Sequence, residues 1–272
     1  MVSIRHLSCV FFYSLLLGIF SIHSTAKTHA PNEMVRVAVA SNFKPVLEQL
    51  IIEFKRLNPA SQIQISSASS GVLYAQILRG APFDLFLSAD SLRPTLLEEQ
   101  GLIEANSRLT YALGQLVLWS SDKSLLNIDE LRHYSGKIAI ANPELAPFGR
   151  ASQQTLTALG MWPDKKNNVV MANNVLQVAH MIHSGAVSLG MVSASQVNNV
   201  PKQQLWFVPG ELFGPIVQQI VILNEAKSDS QHLHRVKSFY RYLLSTKGQQ
   251  IIAANGYKVA ANSVSINELT SD

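Results

Sequence analysis

The sequence predicts an α/β protein of two lobes, with sheets rich in parallel strands and flanked by helices. Short apolar segments typical of strands alternate with helical patterns along most of the chain. This alternation is typical of parallel sheets covered by helices. The length of 272 residues exceeds the usual size of a single hydrophobic core, which favours two lobes.

The apolar periodicity places the elements one after another. Strands are predicted at 35–40, 62–66, 85–88, 115–119, 137–141, 169–171, 188–192, 205–208 and 218–223. Helices are predicted at 43–57, 72–80, 92–100, 128–133, 150–159, 175–184, 194–198, 231–245 and 246–255. In the first helix, apolar residues recur every three or four positions, which predicts one buried face.

The N-terminus has the pattern of a secretory signal peptide covering residues 1–26. Arg5 precedes an apolar run at 7–22, and small residues follow, with cleavage expected after Ala26 or Ala30. The only cysteine, Cys9, lies within this segment. We therefore expect a periplasmic, secreted protein without disulfides; a retained N-terminal anchor is the alternative.

Composition argues against several classes of partner. The formal net charge is +4, and the basic residues are scattered rather than clustered, which disfavours nucleic acid as a partner. His232 and His234 are two apart, so on a helix they point in different directions. His180 and His183 could share a face, but the apolar pattern around them is that of an ordinary packing helix. We therefore expect no directly coordinated metal and no cofactor. Hydrolase elbows, phosphate loops and dinucleotide fingerprints are not found in the sequence.

Donor-rich turns precede four of the predicted helices. These turns contain Ser41 and Asn42, then Ser69 and Ser70, and in the second half the segments 143–149 and 172–174. Taken singly, each is explained by ordinary N-capping. In a parallel sheet, however, strand ends and helix N-termini share one edge, so two facing lobes would present four helix N-termini to one ligand.

Such a site is rich in hydrogen-bond donors and poor in acceptors. A fully ionised tetrahedral oxyanion suits it, because that ion only accepts hydrogen bonds, and helix N-termini stabilise negative charge. A protonated phosphate carries a donor without a partner there, which costs about 1–3 kcal/mol. The sequence therefore predicts an anion-binding cleft.

Two carboxylates, Asp84 and Asp90, flank a short apolar strand. As a pair they would suit acid–base catalysis. The favoured interpretation is structural: Asp84 caps or pairs near the strand start, and Asp90 caps the helix that opens near Ser91. The sequence therefore does not indicate an enzyme.

Five stretches of the sequence resemble the periplasmic molybdate-binding proteins, the solute receptors of ABC importers. They are VAVASNF at 37–43, ASSGVLYAQI at 68–77, GAPFDLFLSAD at 80–90, IANPELAPFG at 140–149 and LGMV at 189–192. The resemblance extends over residues 35–257. It implies a two-lobed, type II periplasmic binding protein fold with the ligand cleft between the lobes.

The resemblance also implies which residues hold the oxyanion. They would be Ser41 and Ser70, through hydroxyl and backbone N–H, and the backbone N–H groups of Phe148 and Val175. Many members place a tyrosine where this sequence has Ser193, whose side chain is too short for the same bond. We hypothesise that Asn42 supplies the missing donor; Ser69 and Ser193 are further candidates.

The resulting expectation is a monomeric receptor that delivers molybdate or tungstate to an inner-membrane ABC permease with its cytoplasmic ATPase. Residues 31–112 and 213–262 would form lobe I, residues 113–212 lobe II, and 263–272 a C-terminal tail. The chain would cross between the lobes near 109–114 and 209–215. A receptor for sulfate or another small oxyanion, a secreted hydrolase and a sensor domain of the same fold remain alternatives.

Overall fold

A computed structural model describes residues 34–122, 128–162 and 168–259 of the chain. The described residues fall within one compact unit. The predicted signal peptide with its cleavage site and the predicted tail at 263–272 lie outside the described residues. Among the helices that are described, none is long and apolar enough to span a membrane.

Five strands form the first sheet, in the order β2-β1-β3-β10-β4. Their bounds are β1 Met34–Ala40, β2 Gln62–Ala68, β3 Leu85–Ser88, β4 Leu109–Gly114 and β10 Ile216–Ile222. The helices of this lobe are α1 Lys44–Leu57, α2 Ser70–Leu78, α3 Leu92–Glu99, α7 Ser230–Leu244 and α8 Thr246–Ala254. We call this sheet with its helices the first lobe.

The second sheet has the same pattern, in the order β7-β6-β8-β5-β9. Its strands are β5 Leu116–Ser120, β6 Ile138–Ala141, β7 Val169–Ala172, β8 Leu189–Ser193 and β9 Leu205–Phe207. Its helices are α4 Ile128–His133, α5 Pro147–Ala158 and α6 Val175–His183. This sheet and its helices form the second lobe. The two-sheet arrangement confirms the predicted α/β, two-lobed fold.

Both sheets are mixed rather than predominantly parallel. In the first, β1 pairs in parallel with β2 and β3, whereas β10 runs antiparallel to β3 and β4. The second repeats this, with β5 antiparallel to β8 and β9. Neighbouring strands become parallel when a helical crossover connects them. The strands β5 and β10 are each entered directly from the other sheet, without such a crossover, and they run antiparallel to their neighbours.

The passage between the sheets differs in one detail from the expectation. The segment 109–114, expected as a crossover, is strand β4 of the first sheet, paired with β10. The chain changes sheets at Gln115, between β4 and β5. It returns between β9 and β10, a segment that includes the expected crossover at 209–215. The limits of the two lobes stay predictions.

Each lobe has its own apolar core. On α1 the buried residues are Val46, Leu47, Leu50, Ile51 and Phe54, which confirms the predicted stripe. Burial of each such side chain contributes about 1.5–3 kcal/mol. This packing fixes α1 and its neighbours on the sheet, so that their N-termini lie at the edge where the parallel strands end.

Candidate functional site: an anion cavity between two lobes

A small cavity lies where strand ends and helix N-termini of both lobes meet. We call it the anion cavity; it is lined by Ala40, Ser41, Asn42, Ser69, Ser70, Ala89, Ala146, Pro147, Phe148 and Val175. Its volume of about 10 Å³ is close to the minimum that holds one water molecule. All five residues predicted as ligands line this cavity, and so does Ser69.

Ser41 reaches the anion cavity through its hydroxyl alone. Its backbone N–H donates to the carbonyl oxygen of Ala68 at 2.9 Å and is therefore already used. The side chain is buried, and none of the described residues hydrogen-bonds to its hydroxyl. Ser41 thus has one donor available to a ligand, where the sequence led us to expect two.

Ser70 has a hydroxyl whose hydrogen is directed by a neighbour. Its Oγ accepts a hydrogen bond from the backbone N–H of Ala89 at 2.9 Å, so its own hydrogen is free to donate elsewhere. Ser70 is the first residue of α2, where backbone N–H groups have no acceptor within the helix. The adjacent Ser69 hydroxyl is buried without a partner among the described residues.

The second lobe contributes backbone N–H groups from two helix N-termini. Phe148 is the second residue of α5 and Val175 the first of α6, so neither N–H has an acceptor within its helix. Gly149 allows the start of α5 to lie directly on the end of β6, since a Cβ there would come within 2.2 Å of the Ala141 carbonyl oxygen. This close approach sets the position of the Phe148 N–H.

Asn42 lines the cavity, but its side-chain amide is already engaged. The Nδ2 donates to Gln218 Oε1 at 2.8 Å and to the Tyr257 hydroxyl at 2.9 Å, which uses both amide hydrogens. The hydroxyl of Tyr111 also donates to Gln218 Oε1. In contrast, no described residue accepts from the backbone N–H of Asn42. The donor that Asn42 has free is in its backbone.

Ser193 does not line the anion cavity. Its hydroxyl bonds to the Ser195 hydroxyl at 2.9 Å, and Ser195 donates to the Asn42 carbonyl oxygen at 3.0 Å. The Tyr257 hydroxyl lies 2.9 Å from Ser195 Oγ and 3.0 Å from the same carbonyl. Burial raises the pKa of Tyr257 to about 12, so its hydroxyl is protonated and able to donate at neutral pH.

Sequence reasoning missed this supporting network of Gln218, Ser195 and Tyr257. Tyr257 and Asn42 are 215 residues apart, and a lone tyrosine near the C-terminus carries no local signal of such a contact. The network holds the backbone of Asn42 from behind the cavity. It therefore positions the residue without touching the cavity itself.

The lining of the anion cavity contains no charged side chain. The hydrogens along this lining that no described residue accepts include those of the Ser41, Ser69 and Ser70 hydroxyls and of the backbone N–H groups of Asn42, Ser70, Phe148 and Val175. Every one of these is able to donate, and helix N-termini add positive potential. This arrangement suits an anion that only accepts hydrogen bonds.

Two direct hydrogen bonds join the lobes at the rim of the cavity. The Gly71 N–H donates to the Leu145 carbonyl oxygen at 2.9 Å, and Arg93 Nη2 donates to the Glu144 carbonyl oxygen at 3.1 Å. The Arg93 guanidinium also pairs with the carboxylate of Asp90. We call these two bonds between lobes the rim contacts.

The carboxylates weighed as a catalytic pair have structural partners. Asp84 is buried in the first lobe, where it bonds to His232 Nε2 at 2.7 Å and accepts from the Arg36 N–H at 2.7 Å. Asp90 accepts from the Arg93 N–H at 3.2 Å, which caps the start of α3. The structural interpretation of both residues is confirmed.

Comparison with known proteins gives a consistent result. The family model described as "bacterial extracellular solute-binding protein" matches residues 35–258. The molybdate-binding protein ModA of Azotobacter vinelandii is 35% identical over 82% of this chain and 89% of its own. That of Rhodobacter capsulatus is 32% identical, over 82% and 87% respectively.

Solved structures extend the comparison to three dimensions. The periplasmic molybdate-binding protein of A. vinelandii superposes with a TM-score of 0.76 at 37% identity, covering 83% of this chain and 99% of that one. The sulfate-binding protein SubI of Mycobacterium tuberculosis has a TM-score of 0.65 at 13% identity, over 88% and 92%. The latter likeness concerns the fold alone.

Proposed function

Because the chain belongs to the bacterial extracellular solute-binding protein family, we propose that it captures molybdate, or tungstate, for an ABC importer. It is a binding protein, not an enzyme. The observation that carries the ligand proposal is the anion cavity, where donors from both lobes converge and no charged side chain lines the wall. Its relatives of 35% and 32% identity are named molybdate-binding proteins.

The proposed ligand contacts follow from the groups left free in the cavity. The hydroxyls of Ser41 and Ser70 and the N–H groups of Phe148 and Val175 donate to the oxyanion. Asn42 contributes its backbone N–H. The Ser69 hydroxyl is a further donor, and Ser193 acts indirectly through Ser195 rather than as a ligand.

Two variants distinguish whether Asn42 binds the anion through its backbone N–H or through its side-chain amide. If its backbone N–H binds the anion, held in place by Tyr257, then Asn42→Ala and Tyr257→Phe both weaken binding. If the amide itself were the donor, only Asn42→Ala would weaken it. Calorimetric titration of both variants distinguishes the two cases, and unchanged affinity in both would exclude a role in binding for the Asn42 side chain and its contact with Tyr257.

The proposed setting is the periplasm, reached through the signal peptide at 1–26. There the closed, loaded receptor would dock as a monomer on a membrane permease whose cytoplasmic ATPase drives uptake. The rim contacts support a closure mechanism, since hinge-bending receptors signal occupancy by closing their lobes. A Bacillus subtilis relative at 27% identity is named a putative ABC transporter substrate-binding lipoprotein, which is consistent with this setting.

Sulfate is the competing ligand, because it too is a fully ionised tetrahedral dianion at neutral pH. The two are distinguished by a thermal-shift screen of the mature protein with molybdate, tungstate, sulfate, phosphate and chromate. A ligand at 100 times its dissociation constant stabilises the fold by about 2.7 kcal/mol. A clear shift with sulfate and none with molybdate or tungstate would overturn the proposal.

A further inference from the structure

A second, larger cavity adjoins the anion cavity. We call it the vestibule; its volume is about 210 Å³, and its lining includes Ala89, Asp90, Pro147 and Arg150. It shares Ala89 and Pro147 with the anion cavity. The two cavities are therefore adjacent, and an anion in the vestibule lies next to the proposed binding site.

Two ionisable side chains line the vestibule, Asp90 and Arg150. The Asp90 carboxylate is neutralised by Arg93, to which it is bonded through both the guanidinium and the backbone N–H. Arg150 is exposed, and no described residue forms an ion pair with it. Arg150 therefore leaves one unpaired positive charge on the wall of the vestibule.

The position of Arg150 in its helix is electrostatically unfavourable. It is the fourth residue of α5, close to the N-terminus, where the helix dipole already presents positive charge and a cation is disfavoured. Folding alone gives no reason for a cation at this position. An anion passing through the vestibule would meet both the helix N-terminus and Arg150.

We propose that Arg150 is a capture residue, which attracts the oxyanion into the vestibule and raises the association rate. This inference rests on the proposed function. Arg150 does not line the anion cavity, so the bound ion is held by the neutral donors and not by Arg150. Its effect therefore falls on the rate of entry and is screened by salt, whereas the dissociation rate is set elsewhere.

The size of the effect follows from Coulomb's law. A dianion and a unit charge about 10 Å apart in water interact strongly enough to change a rate about fourfold. Salt at about 1 M reduces the screening length to about 3 Å and removes the effect, whereas about 10 mM salt leaves it intact. We therefore expect the association rate to depend on the charge of residue 150 at low salt but not at high salt.

Stopped-flow fluorescence with molybdate tests the assignment in Arg150→Gln, Arg150→Lys and Lys202→Gln. Lys202 is an exposed cation of the second lobe that lines neither cavity, so its variant controls for net charge. At low salt, Arg150→Gln should associate about fourfold more slowly, and the other two at nearly the wild-type rate. All dissociation rates should be equal.

Three results would overturn the assignment of Arg150. They are an unchanged association rate in Arg150→Gln at low salt, an equal slowing in Lys202→Gln, and a faster dissociation with unchanged association. Failure of the wild-type protein to bind molybdate would instead contradict the proposed function. The two failures are therefore distinguishable in one set of experiments.

Discussion

Ser41 and Ser70 allow the two roles of a site hydroxyl, ligand binding and support of the fold, to be measured separately. The Ser70 hydroxyl accepts from the buried N–H of Ala89 at 2.9 Å, and both residues belong to the first lobe, so this bond persists whether the lobes are open or closed. The Ser41 hydroxyl has no described partner. Replacing each by alanine therefore removes one proposed ligand donor, but only Ser70→Ala leaves a buried group unpaired.

The magnitudes follow from the bonds removed. A hydrogen bond to a charged group is worth about 1.5–3 kcal/mol, so each variant should bind molybdate about 10- to 150-fold more weakly. An unpaired buried N–H costs about 1–3 kcal/mol. The ligand-free Ser70→Ala protein should lose that much stability, whereas ligand-free Ser41→Ala should remain within about 0.5 kcal/mol of the wild type.

Calorimetric titration gives the affinities, and denaturant unfolding of the ligand-free variants gives the stabilities. Equal loss of stability in both variants would refute the assigned partnership between Ser70 and Ala89. Wild-type affinity in either variant would refute its place among the ligands. Ser121→Ala is a suitable control, since Ser121 is exposed and lines neither cavity.

Further predictions concern the rim contacts and the supporting network. The double variant Arg93→Met/Asp90→Asn, which leaves no unpaired charge, should release molybdate about tenfold faster in stopped-flow experiments; an unchanged dissociation rate would contradict a role in closure. Gly71→Ala should weaken binding in calorimetry, because its Cβ would lie 2.9 Å from the Leu145 carbonyl oxygen in the closed form; wild-type affinity would mean that the lobes close differently. Burial raises the pKa of Tyr257 from 10.0 to about 12, so its contribution to stability is complete below pH 10 and is lost as the pH rises to 12. Between pH 10 and pH 12, the free energy of unfolding should therefore fall by about 2–3 kcal/mol less in Tyr257→Phe than in the wild type. An identical pH profile in the two proteins would contradict the raised pKa.

The features that the sequence predicts well are those that depend on a short contiguous segment of the chain. The strand–turn–helix units at Ser41, Ser70, Phe148 and Val175 each carry their own apolar pattern and their own donors within about ten residues. Because strand ends and helix N-termini share an edge in such units, local sequence is enough to bring the two units of each lobe together. The buried stripe of α1 is predicted for the same reason.

The features that sequence reasoning misses depend on distant segments. Asn42 donates to Gln218 and Tyr257, which are 176 and 215 residues away, so the use of its amide became evident only in the structure. Strand β4 lies where a crossover is expected from the sequence, and its pairing partner β10 follows more than 100 residues later. The engaged N–H of Ser41 likewise depends on its neighbour strand β2.

The central claim is that a cavity lined by neutral donors selects a tetrahedral oxyanion that carries no hydrogen. Calorimetric titration of the mature protein with molybdate and with phosphate at pH 7 tests it most directly. Phosphate retains at least one hydrogen at this pH and would leave it facing donors, at a cost of about 1–3 kcal/mol. The account predicts saturable molybdate binding and phosphate binding about 5- to 150-fold weaker, and equal affinity for the two ions would contradict it.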